Sequence, residues 1–151
     1  MSTHAESRVV PYPAEVMYAV VAEVERYPEF LPWCLALRVL SHEPANGGDV
    51  LLAEMLVGFG GLRERYRSRV ALDGAARTVD VTQADGVFRK LETHWRFTPQ
   101  GPGNQFCRTD FSIAFEFKNP LLDVVAGRAF EHALLRMTDA FEARAKSLSA
   151  A

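Results

Sequence analysis

The sequence predicts an α+β domain in which an antiparallel sheet of about seven strands packs on a long C-terminal helix. Two observations predict it: a succession of alternating apolar and polar runs joined by turn signals, and one amphipathic helical stripe near the C-terminus. The 151 residues, of which 48% are hydrophobic and 24% charged, suffice for one domain with a sizeable core. No repeat or linker divides the sequence, so we expect a single domain over residues 1–151.

The strands are assigned from runs in which apolar and polar residues alternate. A first short run ends at Pro11-Tyr12-Pro13, and later runs are separated by hairpin signals such as Asp73-Gly74. The segment 58–61 lacks the Lys and Ser/Thr ending of a phosphate-binding loop, so we predict a hairpin turn with Phe59 exposed at its tip. The predicted strands span residues 5–10, 35–42, 50–57, 62–72, 78–82, 91–97 and 105–117.

Two segments carry apolar residues at helical spacing. The first, residues 14–24, ends before Tyr27-Pro28, because a residue that precedes proline disfavours the α region. The second begins at Asn119, an N-cap residue, with Pro120 at the first helical position, and ends near residue 145. Its apolar stripe comprises Val125 or Ala126, Phe130, Ala133, Leu134, Met137 and Phe141.

One face of the predicted sheet is apolar and aromatic, with a few neutral polar groups: Tyr66, Ser68, Thr93 and Thr109. Acid–base catalysis needs carboxylate, imidazole or amine groups inside a pocket, and the alternation directs these groups outward. Glu64 is the one strand carboxylate whose phase permits an inward position, and we predict that His94 and His132 are solvated. The pattern therefore indicates a binding protein and not an enzyme.

Four arginines at alternate positions are the most unusual charge feature of the sequence: Arg63, Arg65, Arg67 and Arg69. One interpretation is a solvated outer sheet face balanced by Glu54, Asp80, Glu92 and Asp110. The other is a docking stripe for anionic lipid headgroups or for an RNA phosphate backbone. The formal net charge of −2 argues against a general nucleic-acid binder, and no DNA partner is expected.

The cysteines, the apolar stretches and the first residues of the sequence bear on metal binding and on the cellular compartment. Cys34 and Cys107 stand far apart without metal-ligand spacing, so we predict two buried thiols and no metal. No apolar stretch approaches the roughly 20 residues of a membrane span. The first residues lack the features of a secretory signal, so we expect a cytoplasmic protein.

A dense aromatic and proline motif follows the first helix, where a plain loop would be polar. It reads Tyr27-Pro28-Glu29-Phe30-Leu31-Pro32-Trp33-Cys34 and is preceded by Val24-Glu25-Arg26. On these residues, and on the long series of strands after them, the chain resembles the coenzyme Q-binding protein family, over about residues 7–145. That family is a branch of the START-like, polyketide cyclase/dehydrase-like superfamily. The resemblance implies a helix-grip fold, a curved sheet around the C-terminal helix with an internal hydrophobic tunnel.

The resemblance implies two roles and leaves both open. The first is binding of ubiquinone or a related isoprenoid lipid, as a ligand and not as a catalytic cofactor, in support of quinone delivery or synthesis for respiration. Such a protein would contact the inner membrane peripherally. The alternative is a ribosome-association toxin that binds ribosomal subunits, the label common in the bacterial branch. A polyketide cyclase-like enzyme is the less favoured third reading.

The resemblance and the inner-face pattern together give a candidate ligand site. We expect the tail to contact Trp95, Phe97, Phe111, Ile113, Phe115, Phe130, Leu134 and Met137, and Tyr66, Thr93 or Thr109 to donate a hydrogen bond to a quinone oxygen. The tunnel mouth is assigned to Phe59 and to the motif residues Tyr27, Pro28, Phe30, Leu31, Pro32, Trp33 and Cys34. The alternative for each residue is that it packs in a filled core.

Overall fold

Seven antiparallel strands form one sheet in the computed structural model, which describes residues 2–45 and 47–149. The strands are β1 (Ser2–Val10), β2 (Cys34–Ala45), β3 (Gly48–Phe59), β4 (Leu62–Asp73), β5 (Thr78–Asp85), β6 (Phe88–Gln100) and β7 (Phe106–Phe117). Their order is β1-β7-β6-β5-β4-β3-β2, so consecutive strands pair as neighbours and only β1 crosses to the far edge, beside β7. The predicted α+β class and antiparallel sheet are confirmed.

Helices cover one side of this sheet. Helix α1 (Ala14–Ala22) follows β1, and a 3-10 helix (Val24–Glu29) connects it to β2. The prediction of one helix over residues 14–24 was too long, because Val24 and Pro28 belong to the 3-10 segment. Helices α2 (Pro120–Leu135) and α3 (Met137–Ser149) follow β7. None of the helices in the described part of the chain has the length and apolar character of a membrane span.

The C-terminal helix was predicted as one element, and the structure divides it at Arg136. The backbone N–H of Arg136 bonds the carbonyl of Ala133 at 3.3 Å, and φ and ψ of −105° and 3° leave the helical region. Asn119 caps α2 as predicted, because its side chain accepts a hydrogen bond from the N–H of Leu121 at 3.0 Å. The break lets α2 pack over β3, β4 and β7 while α3 packs against α1.

Aromatic side chains fill most of the space between the sheet and the helices. Phe130 of α2 is the centre of one cluster, with ring centroids 5.0 Å from Phe59 and 4.5 Å from Phe115. A second cluster joins Trp95 to Phe111 at 4.3 Å and to Phe141 of α3 at 5.1 Å. Edge-to-face and offset rings of this kind stabilise a core beyond their buried area.

The inner side of β1 departs from the predicted apolar face. Arg8 bonds Asp139 of α3 at 2.7 Å and also contacts Glu6, while Glu6 accepts a hydrogen bond from Thr138 at 3.1 Å. Burial opposes the charge of Arg8, but its bonds to Asp139, Glu6 and Glu142 outweigh this and raise its pKa. A polar cluster therefore attaches α3 to the sheet edge, where the sequence pattern predicted almost no ionisable groups.

Candidate functional site

A cavity of about 90 Å³ lies between the concave face of the sheet and the two C-terminal helices. Its lining is mainly apolar and aromatic and comes from every strand except β1. The floor is formed by alternate residues of the strands, which share one face. Phe130, Ala133 and Leu134 of α2, together with Met137 and Phe141 of α3, form the roof.

Three hydroxyl groups face this otherwise apolar cavity. Ser68 of β4 is 5% exposed, and Tyr66 and Thr93 are half-buried. The Tyr66 hydroxyl reaches only the sulfur of Met55, a weak acceptor, at 3.5 Å. Among the described residues, the hydroxyls of Ser68 and Thr93 have no hydrogen-bond partner. Buried polar groups normally find partners, so these donors are available to a ligand.

Burial controls the ionisation of the phenols near the cavity. It raises the pKa of Tyr66, with a smaller contribution from Cys34, so the Tyr66 hydroxyl stays a protonated donor. It also raises the pKa of Tyr27. The Tyr27 hydroxyl already donates to the backbone carbonyl of Val21, so Tyr27 anchors the motif to α1 and has no proton left for a ligand.

Carboxylate, imidazole and amine groups are absent from the described lining of the cavity. Glu64, the one strand carboxylate with an inward phase, is half-buried near the β3–β4 turn and does not reach the cavity. The groups that the described lining offers to a ligand are hydroxyl donors and apolar or aromatic surface.

Most of the residues predicted to contact a ligand tail or head come together at the cavity. Eight of them line it: Tyr66, Thr93, Trp95, Phe111, Ile113, Phe130, Leu134 and Met137. Phe97, Thr109 and Phe115 do not. Phe97 lies under α1 against Tyr18, Thr109 contacts Cys107, and Phe115 packs edge-on against Phe130. These three belong to the packed core.

The motif contributes to the cavity through two of its residues, Tyr27 and Trp33. Leu31 and Pro32 line a neighbouring surface groove together with Trp33. The other motif residues assigned to the mouth do not line the cavity: Pro28 is exposed, Phe30 packs on Phe141 and under Arg144, and Cys34 is buried.

Phe59 does not lie exposed at a hairpin tip as predicted. It is the last residue of β3, is 5% exposed, and stacks on Trp33 with ring centroids 5.4 Å apart. The turn itself consists of Gly60 and Gly61, and Gly60 approaches the backbone of Val125 in α2. The ring of Phe59 therefore turns inward under α2, where it lines both the cavity and the groove.

Several lining residues were not assigned from the sequence: Val24, Leu37, Ala53, Met55, Val81 and Phe88. Two of them, Ala53 and Met55, could have been predicted from the sequence. They flank Glu54, whose charged side chain lies on the outer face of β3, so alternation places both on the inner face. Phe88 was missed because β6 begins three residues before the predicted strand.

The arginine stripe lies on the outer face of β4, and all four of its side chains are exposed. Of the four acids predicted to balance the stripe, only Glu54 contacts any of its arginines: the Glu54 carboxylate lies 3.2 Å from Arg67 and 3.7 Å from Arg65. Glu54 also pairs with Arg38 of β2, at 3.1 Å. Burial acts to raise the pKa of Glu54, but Arg67 and Arg38 outweigh it and the pKa is lowered.

The other three acids pair elsewhere: Asp80 with His94, Glu92 with Lys90, and Asp110 with Arg108. Arg63 and Arg69 contact no acidic group among the described residues. The stripe therefore keeps an excess of positive charge.

Both cysteines are free and buried, as predicted. Burial raises the pKa of the Cys34 thiol to about 12, so it stays protonated and unreactive. In the part of the chain that the structure describes, no group of three or more His, Cys, Asp or Glu side chains is placed to hold a metal ion.

Comparison with known proteins identifies relatives along the whole chain. A model of the family described as polyketide cyclase/dehydrase and lipid transport matches residues 10–142. The ribosome association toxin RatA of Pseudomonas aeruginosa is 36% identical over 150 residues, which cover 98% of this chain and 99% of that protein. The mitochondrial coenzyme Q-binding protein COQ10 homolog B of Xenopus laevis is 36% identical over 143 residues, which cover 94% of this chain and 57% of that protein.

Solved structures agree with these matches. The 18 kDa protein CC1736 of Caulobacter crescentus, known from a solution structure, is 35% identical in sequence to this chain. The two structures match with a TM-score of 0.79 over 100% of each chain. The resemblance drawn from the motif, including the START-like fold, is confirmed.

Proposed function

Because the chain belongs to the polyketide cyclase/dehydrase and lipid transport family, we propose that it binds an amphiphilic lipid with an oxygen-bearing ring head, and that this lipid is ubiquinone or a close relative. The observation that carries the proposal is the set of three hydroxyls, Tyr66, Ser68 and Thr93, facing an apolar cavity. The protein acts as a carrier that supplies the quinone to respiration, works in the cytoplasm, and meets the inner membrane only transiently.

The chemistry of a quinone head matches this lining. Its carbonyl and methoxy oxygens accept hydrogen bonds and have no strong donor, whereas the three hydroxyls are donors without a strong protein acceptor. Trp95 and Phe111, whose ring centroids are 4.3 Å apart, offer aromatic faces and edges to the ring. Apolar lining with a few placed polar groups is typical of small-molecule sites.

The cavity must widen when the head binds. Its volume of about 90 Å³ is below the roughly 150 Å³ of an engineered cavity that admits benzene. Met55 and Met137 are the side chains most able to move, because an unbranched thioether adapts to its surroundings at little cost. Binding is therefore expected to rearrange these two methionines and leave the strands in place.

Tryptophan fluorescence tests the proposal without a label. Both tryptophans of the sequence, Trp33 and Trp95, line the cavity, so a bound quinone ring lies near both indoles. Titration with a short-tailed ubiquinone is expected to quench the emission saturably, with one quinone per chain. In Trp95→Phe, the remaining Trp33 emission is expected to be quenched with a similar midpoint. Quenching that rises linearly with quinone and never saturates would reject the site.

A second candidate function is association with ribosomal RNA through the arginine stripe. A specific observation favours it: three arginines share Glu54, and Arg63 and Arg69 contact no acid among the described residues. Alternate residues of a strand are roughly 6.6 Å apart, so the Cα atoms of Arg63 and Arg69 lie about 20 Å apart and the four exposed side chains form a cationic row along β4. Such a row suits successive phosphates of an RNA strand. Relatives named ribosome association toxin support this reading.

Charge reversal tests this second function. Arg63→Glu with Arg69→Glu leaves the Glu54 cluster intact, so the fold is expected to be unaffected. Co-sedimentation with ribosomal subunits should be lost in this variant and, in the parent chain, should weaken steeply as salt increases. Arg96→Glu is the matched control, because Arg96 is exposed on the outer face of β6 outside the stripe. Equal loss in the control, or no loss in the double variant, would remove the stripe from the interaction.

A further inference from the structure

A surface groove adjoins the cavity where the motif meets the break between α2 and α3. The groove has a volume of about 340 Å³ and is lined mainly by small or apolar side chains. Trp33, Phe59, Ala133 and Met137 line both the groove and the cavity, so these four residues form the wall between them. The stacked rings of Trp33 and Phe59, 5.4 Å apart, are the largest part of that wall.

The cavity and the groove differ in chemistry. The hydroxyls of Tyr66 and Ser68 stand opposite Met55 and Ala53 on the neighbouring strand. Phe59 is four residues along β3 from Met55, so the Cα atoms of these two residues lie roughly 13 Å apart. The three hydroxyl residues line the cavity and not the groove, whereas the groove offers the methyl groups of Ala129, Ala133 and Ala140.

We infer that the groove binds the isoprenoid tail of the ligand, with the ring head in the cavity and the tail passing between Trp33, Phe59 and Met137. This inference rests on the proposed function and adds the orientation of the ligand and a second subsite. A cavity of about 90 Å³ cannot enclose a prenyl tail, and ligand sites normally measure about 300–1,000 Å³. The groove is larger, mainly apolar, and separated from the cavity by only the four shared side chains, so a tail that passes between them leaves water.

The local geometry explains why a groove exists here. At Arg136 the backbone leaves the helical region, and the small residues Ala129, Ala133 and Ala140 line the groove together with Leu31 and Pro32. Larger side chains at these positions would fill the space between the helices and the motif. His132 and Arg136 stand on the rim, and neither side chain has a hydrogen-bond or ion-pair partner among the described residues. The rim is therefore polar and the floor apolar.

The test compares two ligands on three variants. Ala129→Leu and Ala140→Leu each narrow the groove without touching the cavity, and Ala143→Leu is the matched control on an exposed face of α3 outside the groove. Affinities are measured for a ubiquinone with two isoprene units and for the same ring without a tail. In the parent chain the tailed quinone should bind at least about ten-fold more tightly, because the tail leaves water.

The groove variants are expected to lose about ten-fold in affinity for the tailed quinone and to keep the affinity for the tail-less ring within about two-fold. The control should match the parent for both ligands. A parent that binds both quinones equally, or groove variants that keep the full tail preference, would overturn the inference and leave the proposed function intact. A parent that binds neither quinone would overturn both. Variants that change only the oligomeric state would instead assign the groove to a second copy of the chain, which also overturns the inference.

Discussion

Replacing Ser68 with alanine is expected to change stability and ligand affinity in opposite directions. Ser68 is 5% exposed, and its hydroxyl has no partner among the described residues. A buried hydroxyl without a partner costs about 1–3 kcal/mol, and the cavity reduces that cost because the hydroxyl is not tightly enclosed. Removing it should therefore raise the free energy of unfolding by about 1 kcal/mol and the Tm by roughly 2–4 °C.

The same change should weaken binding of a quinone. A lost hydrogen bond between neutral groups is worth about 0.5–1.5 kcal/mol, which corresponds to a roughly two- to twelve-fold weaker affinity. The two quantities are measured by urea denaturation followed by circular dichroism, and by fluorescence titration with a short-tailed ubiquinone. Ser41→Ala, at an exposed position of β2, is the control and should change neither.

Two results would contradict the role assigned to the Ser68 hydroxyl. A loss of more than about 1 kcal/mol of stability in Ser68→Ala would mean that the hydroxyl supports the fold of the free protein. An unchanged quinone affinity would mean that the head does not reach β4.

Three further predictions concern the core, the thiols and the charged surface. Phe130→Ala should lower the free energy of unfolding by about 3–5 kcal/mol and the Tm by roughly 10 °C, because four aromatic rings pack on Phe130. The same change at the exposed Phe106 should lower the free energy of unfolding by under about 1 kcal/mol. Equal losses of stability in the two variants would contradict this prediction. Burial raises the pKa values of Cys34 and Cys107, so neither thiol should react with a disulfide reagent near pH 8 until the protein is denatured, and rapid labelling of the native protein would contradict their burial. Hydrogen bonds from Arg26 and Arg144 lower the pKa of Glu29, so its stabilising contribution is present above about pH 4.5 and is lost as the pH falls through the folded pKa. Glu29→Gln should therefore be less stable than the parent near pH 7, and urea denaturation should show this difference shrinking as the pH falls below about 4.5. A difference that is the same at about pH 7 and at about pH 3 would contradict the pairing.

The strands could be predicted from the sequence because their side-chain period is two. Hydrophobic alternation and the turn signal Asp73-Gly74 predicted the hairpins, in which each strand pairs with the next one in sequence. The pairing of β1 with β7 could not be predicted in this way, because these strands are far apart in sequence. The break at Arg136 could not be predicted, because the apolar stripe from Phe130 through Leu134 and Met137 to Phe141 continues across it without glycine or proline. The cause is tertiary: α2 packs on the sheet and α3 on α1.

The candidate site was only partly predictable for a related reason. Alternation identifies which face of a strand a residue occupies, but not where along the strand a cavity lies. Phe97 and Thr109 share a face with Trp95 and Phe111, yet Phe97 packs against Tyr18 of α1 and Thr109 against Cys107, outside the cavity. The inward position of Phe59 depends on its contact with Trp33, which is distant in sequence. Such contacts emerge only from the assembled sheet and helices.

If the cavity holds the head of a quinone, a variant whose cavity is filled by a larger side chain should carry no bound quinone. Ala53 is 3% exposed, lines the cavity and stands opposite Ser68, so Ala53→Leu occupies the space assigned to the head. Ala36→Leu, at an exposed position of β2, adds the same side chain outside the cavity. Each protein is purified gently from a quinone-producing host, its fold is checked by circular dichroism, and extracted quinone is quantified by mass spectrometry. We expect about one quinone per chain in the parent and in Ala36→Leu, and almost none in a folded Ala53→Leu. Equal quinone in all three proteins, or none in the parent, would contradict this expectation.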